Sequence, residues 1–174
     1  SRRRRRARRS ASATRRRAWF ASVDFLSPAF TQSPCVRLRR HQMTSSVRAA
    51  RSVIAIIPSR FGSTRLPGKP LLPIGPHGTP MIEHVVRATL AASVVSRVLV
   101  ATDHEAIAAA AERAGAEAIM TDGAIATGTD RVAAALHIAG ASADVVVNVQ
   151  GDEPLIPPGS IDLVAQILLN DSSA

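Results

Sequence analysis

The sequence predicts an α/β protein built on an open, mostly parallel sheet with helices on both faces. Three observations carry this prediction. Four short apolar runs rich in β-branched residues alternate with four helical periodicities, the alternation begins abruptly at Val53, and the polar motifs fall directly after the runs. In such sheets ligands bind beyond the carboxyl ends of the strands, at a switch point in strand order, so motifs placed there are candidates for a site.

The elements follow in order. "SVIAIIP" is a continuous apolar run, the pattern of a strand buried on both faces. "TPMIEHVVRATLAAS" places Ile82, Val86 and Leu90 at four-residue spacing, with Thr79 as N-cap and Pro80 at the first helical position, and reads as a helix. "RVLVATD" is the second strand. "DHEAIAAAAERAGA" is the second helix, with acids in its first turn and Gly115 as terminator. "AEAIM" is a short third strand, and "TDRVAAALHIAG" a third helix ending at Gly140. "ADVVVNVQGDEP" contains the fourth and most apolar strand, and "PPGSIDLVAQILLN" the fourth helix.

Before Val53 the composition is different. Residues 1–52 hold 15 of the 22 Lys and Arg and one acid, Asp24, a net of +14; the remainder holds 7 basic and 12 acidic residues, a net of −5. The overall +9, which would ordinarily suggest a nucleic-acid or membrane partner, therefore describes only the extension, and no nucleic-acid partner is expected for the domain. Arg2 to Arg6 and Arg15 to Arg17, amid Ser and Ala, match an organellar transit peptide. They equally match translated upstream sequence with Met43 as the true start, and an arginine-rich RNA-binding arm is a third reading. In each case 1–52 is expected to be disordered alone, because it cannot bury enough apolar surface to offset its ordering entropy. Residues 53–174 form the expected domain. The single Cys35 excludes an intrachain disulfide and a thiolate zinc site and suits a reducing compartment. The expected location is the cytoplasm, or a mitochondrion or plastid if the extension is a transit peptide. No apolar run approaches the roughly 18 residues of a membrane span.

Four motifs carry chemistry. "IPSRFGSTRLPGKPL", after the first strand, sets Gly62, Ser63, Thr64 and Gly68 beside Arg60, Arg65 and Lys69, so that backbone and three cations can approach a phosphate; a solvated basic turn has the same composition. It is not a Walker loop, since Lys69 precedes Pro70, and it lacks the Gly-x-Gly-x-x-Gly of dinucleotide folds. "NVQGDEP" puts Asp152 and Glu153 past the most apolar strand, where a divalent cation is held with substrate phosphates, or where an acidic turn stands. "TGTDRV" places Arg131 at a helix start, as an anion contact or as a surface pair with Asp130. "ATDHE" reads as N-cap chemistry, with His104 exposed and without a catalytic role.

These segments, together with "MIEHVVRA", resemble in order and spacing the 3-deoxy-manno-octulosonate (KDO) cytidylyltransferase family, also called CMP-KDO synthetase, across essentially all of 53–174. "STRLPGKPL" with "NVQGDEP" points to the KDO branch; sialic acid cytidylyltransferases share a looser version of the loop. The resemblance implies a nucleotide-diphospho-sugar transferase-like fold, here truncated to its N-terminal part, with Mg²⁺ as cofactor and CTP and KDO as substrates. The products would be pyrophosphate and CMP-KDO, destined for lipopolysaccharide or a cell-wall polysaccharide. By motif, Arg60, Gly62, Ser63, Arg65 and Lys69 would bind the CTP phosphates, with Arg60, Arg65, Lys69 and Asp152 as the catalytic set. Asp152 would ligate the metal, and Gln150 and Arg131 would line the substrate site. Family members continue beyond the point matching Ala174, and that part supplies a second metal-binding aspartate, much of the sugar site and a homodimer contact; a catalytically incomplete fragment is therefore an alternative. Where the family usually reads His-Gln-Ser-Gly-Thr, this chain reads Ile125-Ala126-Thr127-Gly128-Thr129, which removes two polar side chains.

Overall fold

The computed structural model describes residues 19–23, 51–62 and 66–171. Among these residues, seven strands and four α-helices run in chain order: β1 (Trp19–Val23), β2 (Val53–Ser59), β3 (Pro73–Ile74), β4 (Thr79–Pro80), α1 (Met81–Leu90), β5 (Arg97–Thr102), α2 (Glu105–Arg113), β6 (Glu117–Met120), α3 (Gly128–Ile138), β7 (Val145–Val149) and α4 (Pro158–Asn170). The main sheet has the order β1-β7-β2-β5-β6, and every neighbouring pair is parallel. Chain order therefore reverses direction at β2, which has β5 and β6 on one side and β7 on the other. That reversal is the switch point at which a crevice opens beyond the carboxyl ends.

The alternation of side chains along β2 explains the two layers. Val53, Ala55 and Ile57 face one way, into a core shared with Ile82, Val85 and Val86 of α1, Ile107, Ala110 and Ala111 of α2, and Ile161 and Ala165 of α4. Ile54 and Ile56 face the other way, against Val132 and Ala135 of α3. Both faces are covered, as the unbroken apolar run requires. Ile56 and Ile57 have no exposed surface, and each contributes on the order of 1.5–3 kcal/mol by burial. Glu83, a buried acid of α1, accepts from Arg87 one turn on at 2.9 Å and from Arg113 of α2 at 3.1 Å, tying the two helices together.

The four expected strands and four expected helices are all present, with differences at the start of α1 and in the extension. Thr79 does not cap α1. It pairs with Ile74 in a small antiparallel hairpin, β3 with β4, and Pro80 precedes the first turn without any side-chain cap. A two-residue hairpin leaves too little alternation to be read from sequence. Gly115 and Gly140 do terminate α2 and α3, with φ of 101° and 56°.

A further difference lies in the extension, expected to be disordered when alone. Trp19–Val23 forms β1 and pairs along β7 from Trp19 opposite Val145 to Val23 opposite Val149. Without it β7 would be the sheet edge, a row of unpaired N–H and C=O groups, and "WFASV" is aromatic and β-branched enough to add to that row. The transit-peptide, upstream-translation and RNA-arm readings otherwise fall on residues outside those described.

Candidate active site

Two adjoining cavities open at the switch point. They share a wall of Pro58, Ser59 and Arg60, from the end of β2, and Gln150, from the end of β7. The larger, about 280 Å³, continues over Lys69, Pro70, Gly151 and Asp152. The smaller, about 140 Å³, continues over Ile125, Ala126, Thr127, Gly128 and Arg131, where the chain enters α3. Two residues let the walls approach each other. Gly151 packs so closely on β2 that a Cβ there would lie 2.8 Å from the carbonyl oxygen of Pro58, and Gly128 faces the Pro58 ring.

The larger cavity carries the charges. Lys69 Nζ donates to Asp152 Oδ2 at 2.8 Å, with both side chains substantially exposed. An ion pair so open to water is worth only about 0–1 kcal/mol, so an incoming anion can draw the ammonium away at little cost. Lys69 is positioned by the turn before it. Gly68, at φ 70°, starts a 3-10 turn over Lys69–Leu71 and donates its N–H to the carbonyl of Phe61 at 2.9 Å, closing the glycine-rich loop. The Phe61 ring lies under Gly68, where a Cβ would meet it at 3.2 Å, and stacks on His104 at 4.0 Å between centroids. Gly62 is open, with nothing within 4 Å of an added Cβ, and lines neither cavity. Ser63, Thr64 and Arg65 lie outside the described residues.

Arg131 has a double aspect. It borders the smaller cavity, yet its side chain is almost wholly buried and spends its donors on the protein: Thr121 Oγ1 at 2.6 Å, Ile125 O at 3.3 Å and Asp103 Oδ2 at 3.5 Å. The alternative of a surface pair with Asp130 is overturned. Asp130 instead accepts from Thr127 Oγ1 at 2.6 Å, while Thr127 accepts from the Asp130 N–H at 3.1 Å, a reciprocal cap on α3. The residue that sequence reasoning missed is Asp103. Its Oδ1 accepts the Phe61 N–H at 2.9 Å while Oδ2 faces Arg131, so one carboxylate anchors both the glycine-rich loop and the wall of the smaller cavity. In "ATDHE" it read as cap chemistry, and the cap proves to be His104, whose Nδ1 accepts from the Ala106 N–H at 3.2 Å. His104 is half-buried against Phe61 rather than exposed.

Magnesium commonly takes one or two carboxylates, several waters and substrate phosphates. Asp152, exposed and at the mouth of the larger cavity, fits as one such carboxylate. Glu153 beside it has a buried Oε2 with no hydrogen-bond partner among the described residues, where no group of three or more acidic, His or Cys ligands occurs. Asp152 is therefore the residue here that could hold a cation. Of the candidate residues, the fold assembles Arg60, Lys69, Arg131, Gln150 and Asp152.

Comparison with known proteins fits this geometry. The profile of the cytidylyltransferase family matches residues 54–174. A 3-deoxy-manno-octulosonate cytidylyltransferase of Bdellovibrio bacteriovorus is 48% identical over 119 residues, covering 68% of this chain and 47% of that protein. One from an Anaeromyxobacter species is 53% identical over 118 residues, with 68% and 47% covered. Among solved structures, a CMP:2-keto-3-deoxy-manno-octonic acid synthetase complexed with CTP superposes with a TM-score of 0.64 at 42% identity, over 69% of this chain and 48% of that one. The chain spans about half the length of the curated relatives it matches. No described helix is long and apolar enough to cross a membrane. With a doubly wound sheet, a charged crevice at its switch point and a profile match over residues 54–174, this chain belongs to the cytidylyltransferase family.

Proposed function

We propose that this chain is the nucleotide-binding part of a 3-deoxy-manno-octulosonate cytidylyltransferase, which transfers CMP from CTP to KDO and releases pyrophosphate. The observation that carries the reading is the switch-point crevice, where Arg60, Lys69, Gln150 and Asp152 meet; the names of the half-matched relatives supply the substrates. The anomeric hydroxyl of KDO attacks the α-phosphorus of CTP, and the bond to the β,γ-pyrophosphate breaks. No covalent intermediate on the protein is required.

Catalysis of this kind is positioning and charge stabilisation. Lys69 and Arg60, joined by Arg65 from the same loop, neutralise the triphosphate and the departing pyrophosphate. Gln150 orients the nucleotide from the shared wall. Asp103 and Arg131 hold the glycine-rich loop and the wall of the smaller cavity in place through their contacts with Phe61, Thr121 and Ile125. Asp152 would hold a Mg²⁺ ion, which when bound neutralises phosphate charge. In the longer protein we expect a homodimer; Leu155, Leu163 and Ile167 leave apolar surface exposed around α4. A CTP-consuming reaction suits the cytoplasm, or an organelle if residues 1–52 direct the chain there, and the product would feed lipopolysaccharide or cell-wall polysaccharide.

The test is pyrophosphate release from CTP and Mg²⁺ with KDO or with sialic acid, run on this chain and on a version joined to the C-terminal half of a relative. The reading expects KDO-dependent release by the joined protein. Release with sialic acid alone would move the assignment to another acid sugar, and release with neither would overturn it.

A further inference from the structure

We propose that the hydroxyl of Ser59 is a ligand-binding group that takes a ribose hydroxyl of the bound nucleotide and so selects ribonucleotides over deoxyribonucleotides. The starting point is an unmade hydrogen bond. Ser59 is 4% exposed, and its Oγ has no partner among the described residues. The other buried hydroxyls among the described residues are satisfied: Thr89 donates to Val85 O at 2.8 Å, Thr121 donates to Thr102 O at 3.1 Å, and Thr102 accepts from the His104 N–H at 3.3 Å. A buried hydroxyl left alone costs stability, and the cost is tolerated where a ligand supplies the missing partner.

Position then selects the partner. Ser59 belongs to the wall common to both cavities. The larger holds the cation and carboxylate that suit phosphates, Lys69 and Asp152. The smaller is walled by Pro58, Ile125, Ala126 and Gly128, with polar Thr127 and Arg131, and suits a single-ring base. A nucleotide lying across the two sets its ribose against their shared wall, where Ser59 Oγ lies 3.5 Å from the point a Cβ on Gly151 would occupy. The sugar is the part of the nucleotide rich in hydroxyls, and a hydroxyl can both donate to and accept from another. This rests on the nucleotide reading above and adds to it a residue outside the predicted site set.

The experiment is calorimetric titration of the 174-residue chain with CTP, 2′-deoxy-CTP and 3′-deoxy-CTP, for the wild type, Ser59→Ala and Ser59→Cys. The wild type should bind CTP about five-fold more tightly than one of the deoxy analogues, the worth of one hydrogen bond. Ser59→Ala should bring CTP down to the level of that analogue, whose own affinity is unchanged, with a melting temperature equal to or above the wild type. Ser59→Cys, close in volume with a weak donor, should fall between them and serves if the alanine variant does not fold. A ribo-to-deoxy ratio that survives substitution overturns the inference while leaving the nucleotide reading intact. So does a lowered melting temperature with equal weakening of all three ligands, the mark of a structural role. No binding of CTP by the wild type overturns the nucleotide reading and this inference with it.

Discussion

Substituting Gly151 by alanine tests whether the crevice is set by the contact between the ends of β2 and β7. The added Cβ would stand 2.8 Å from Pro58 O, 3.4 Å from Ile57 Cγ2 and 3.5 Å from Ser59 Oγ. The nearest of these is a backbone atom of a central strand, which cannot rotate away as a flexible side chain would. Gly151 is not in the left-handed region of φ, so the effect is steric and not conformational. Overpacking of this kind costs about 1–3 kcal/mol. For a unit of roughly 120 residues that lowers the melting temperature by roughly 4–12 °C, read by circular dichroism. Moving the two ends apart also shifts Asp152 away from Lys69, so CTP affinity should fall. Gly62→Ala is the internal comparison: its Cβ would meet nothing within 4 Å, so stability should hold to within about 0.5 kcal/mol, while CTP affinity drops if the loop backbone approaches phosphate. An unchanged melting temperature for Gly151→Ala would refute the argument that the close approach sets the crevice.

Other outcomes follow from the same geometry. Arg131→Ala should destabilise by about 3–5 kcal/mol, because an almost wholly buried side chain is removed and the half-buried Asp103 carboxylate, Thr121 and Ile125 O lose its donors; a loss under about 1 kcal/mol in urea unfolding would show that these contacts are incidental. Lys69→Ala, which breaks only an exposed ion pair, should leave stability within about 1 kcal/mol and weaken CTP by about 1.5–3 kcal/mol in calorimetry, and equal CTP affinity would reduce the loop to a solvated turn. In the joined full-length protein, Asp152→Asn should abolish turnover, since a neutral amide is a poorer magnesium ligand; near-normal rates with unaltered Mg²⁺ dependence would remove Asp152 from the metal site. The Asp162 carboxyl is held below its ordinary value, chiefly by the Val94 N–H and, against some desolvation, by the N–H and hydroxyl of Ser93. Its contribution is therefore present above the unfolded aspartate value, about 3.9, and is lost as pH falls through the lower folded value. The stability gap between wild type and Asp162→Asn should close over that acid window, and a gap independent of pH would argue against the assignment.

The alternation of apolar runs and helical periods was legible because each strand is buried on both faces and each helix buries one stripe. Val53–Ile57 and Val145–Val149 could hardly be anything else. The positions of Arg60, Lys69, Gln150 and Asp152 were legible for a related reason, since the rule that ligands sit beyond strand ends turns sequence position into spatial position. The burial of Arg131 and the bridging by Asp103 were not. The bridge needs β5 beside β2, a neighbour relation between segments more than forty residues apart, and the burial of Arg131 needs α3 to pack over the ends of β5 and β6; no local pattern encodes either. The β1 strand was hidden for a different reason. "WFASV" is too short to show a period, and only the free edge of β7 gives it something to pair with. Ser59 carried no signal, because a hydroxyl without a partner is a property of its surroundings.

The position of β7 between β1 and β2 also dictates when the crevice can come into being. β2, β5 and β6 lie early in the domain and can pair as they emerge during synthesis, whereas β7 follows them all and β1 depends on β7. The clasp between Asp144 and Ser52, which fixes the start of β7 against β2, joins residues 92 apart at 2.9 Å. Closing so long a loop is slow, and its entropy must be met before the contact gives anything back. The shared wall of the two cavities is thus among the last surfaces to form on folding, and its amides at 150–152 should be among the first to exchange with solvent when the native sheet opens. A ligand bridging the ends of β2 and β7 fastens that seam, so nucleotide binding should slow exchange most along β7 and leave the β5–β6 pair nearly as it was.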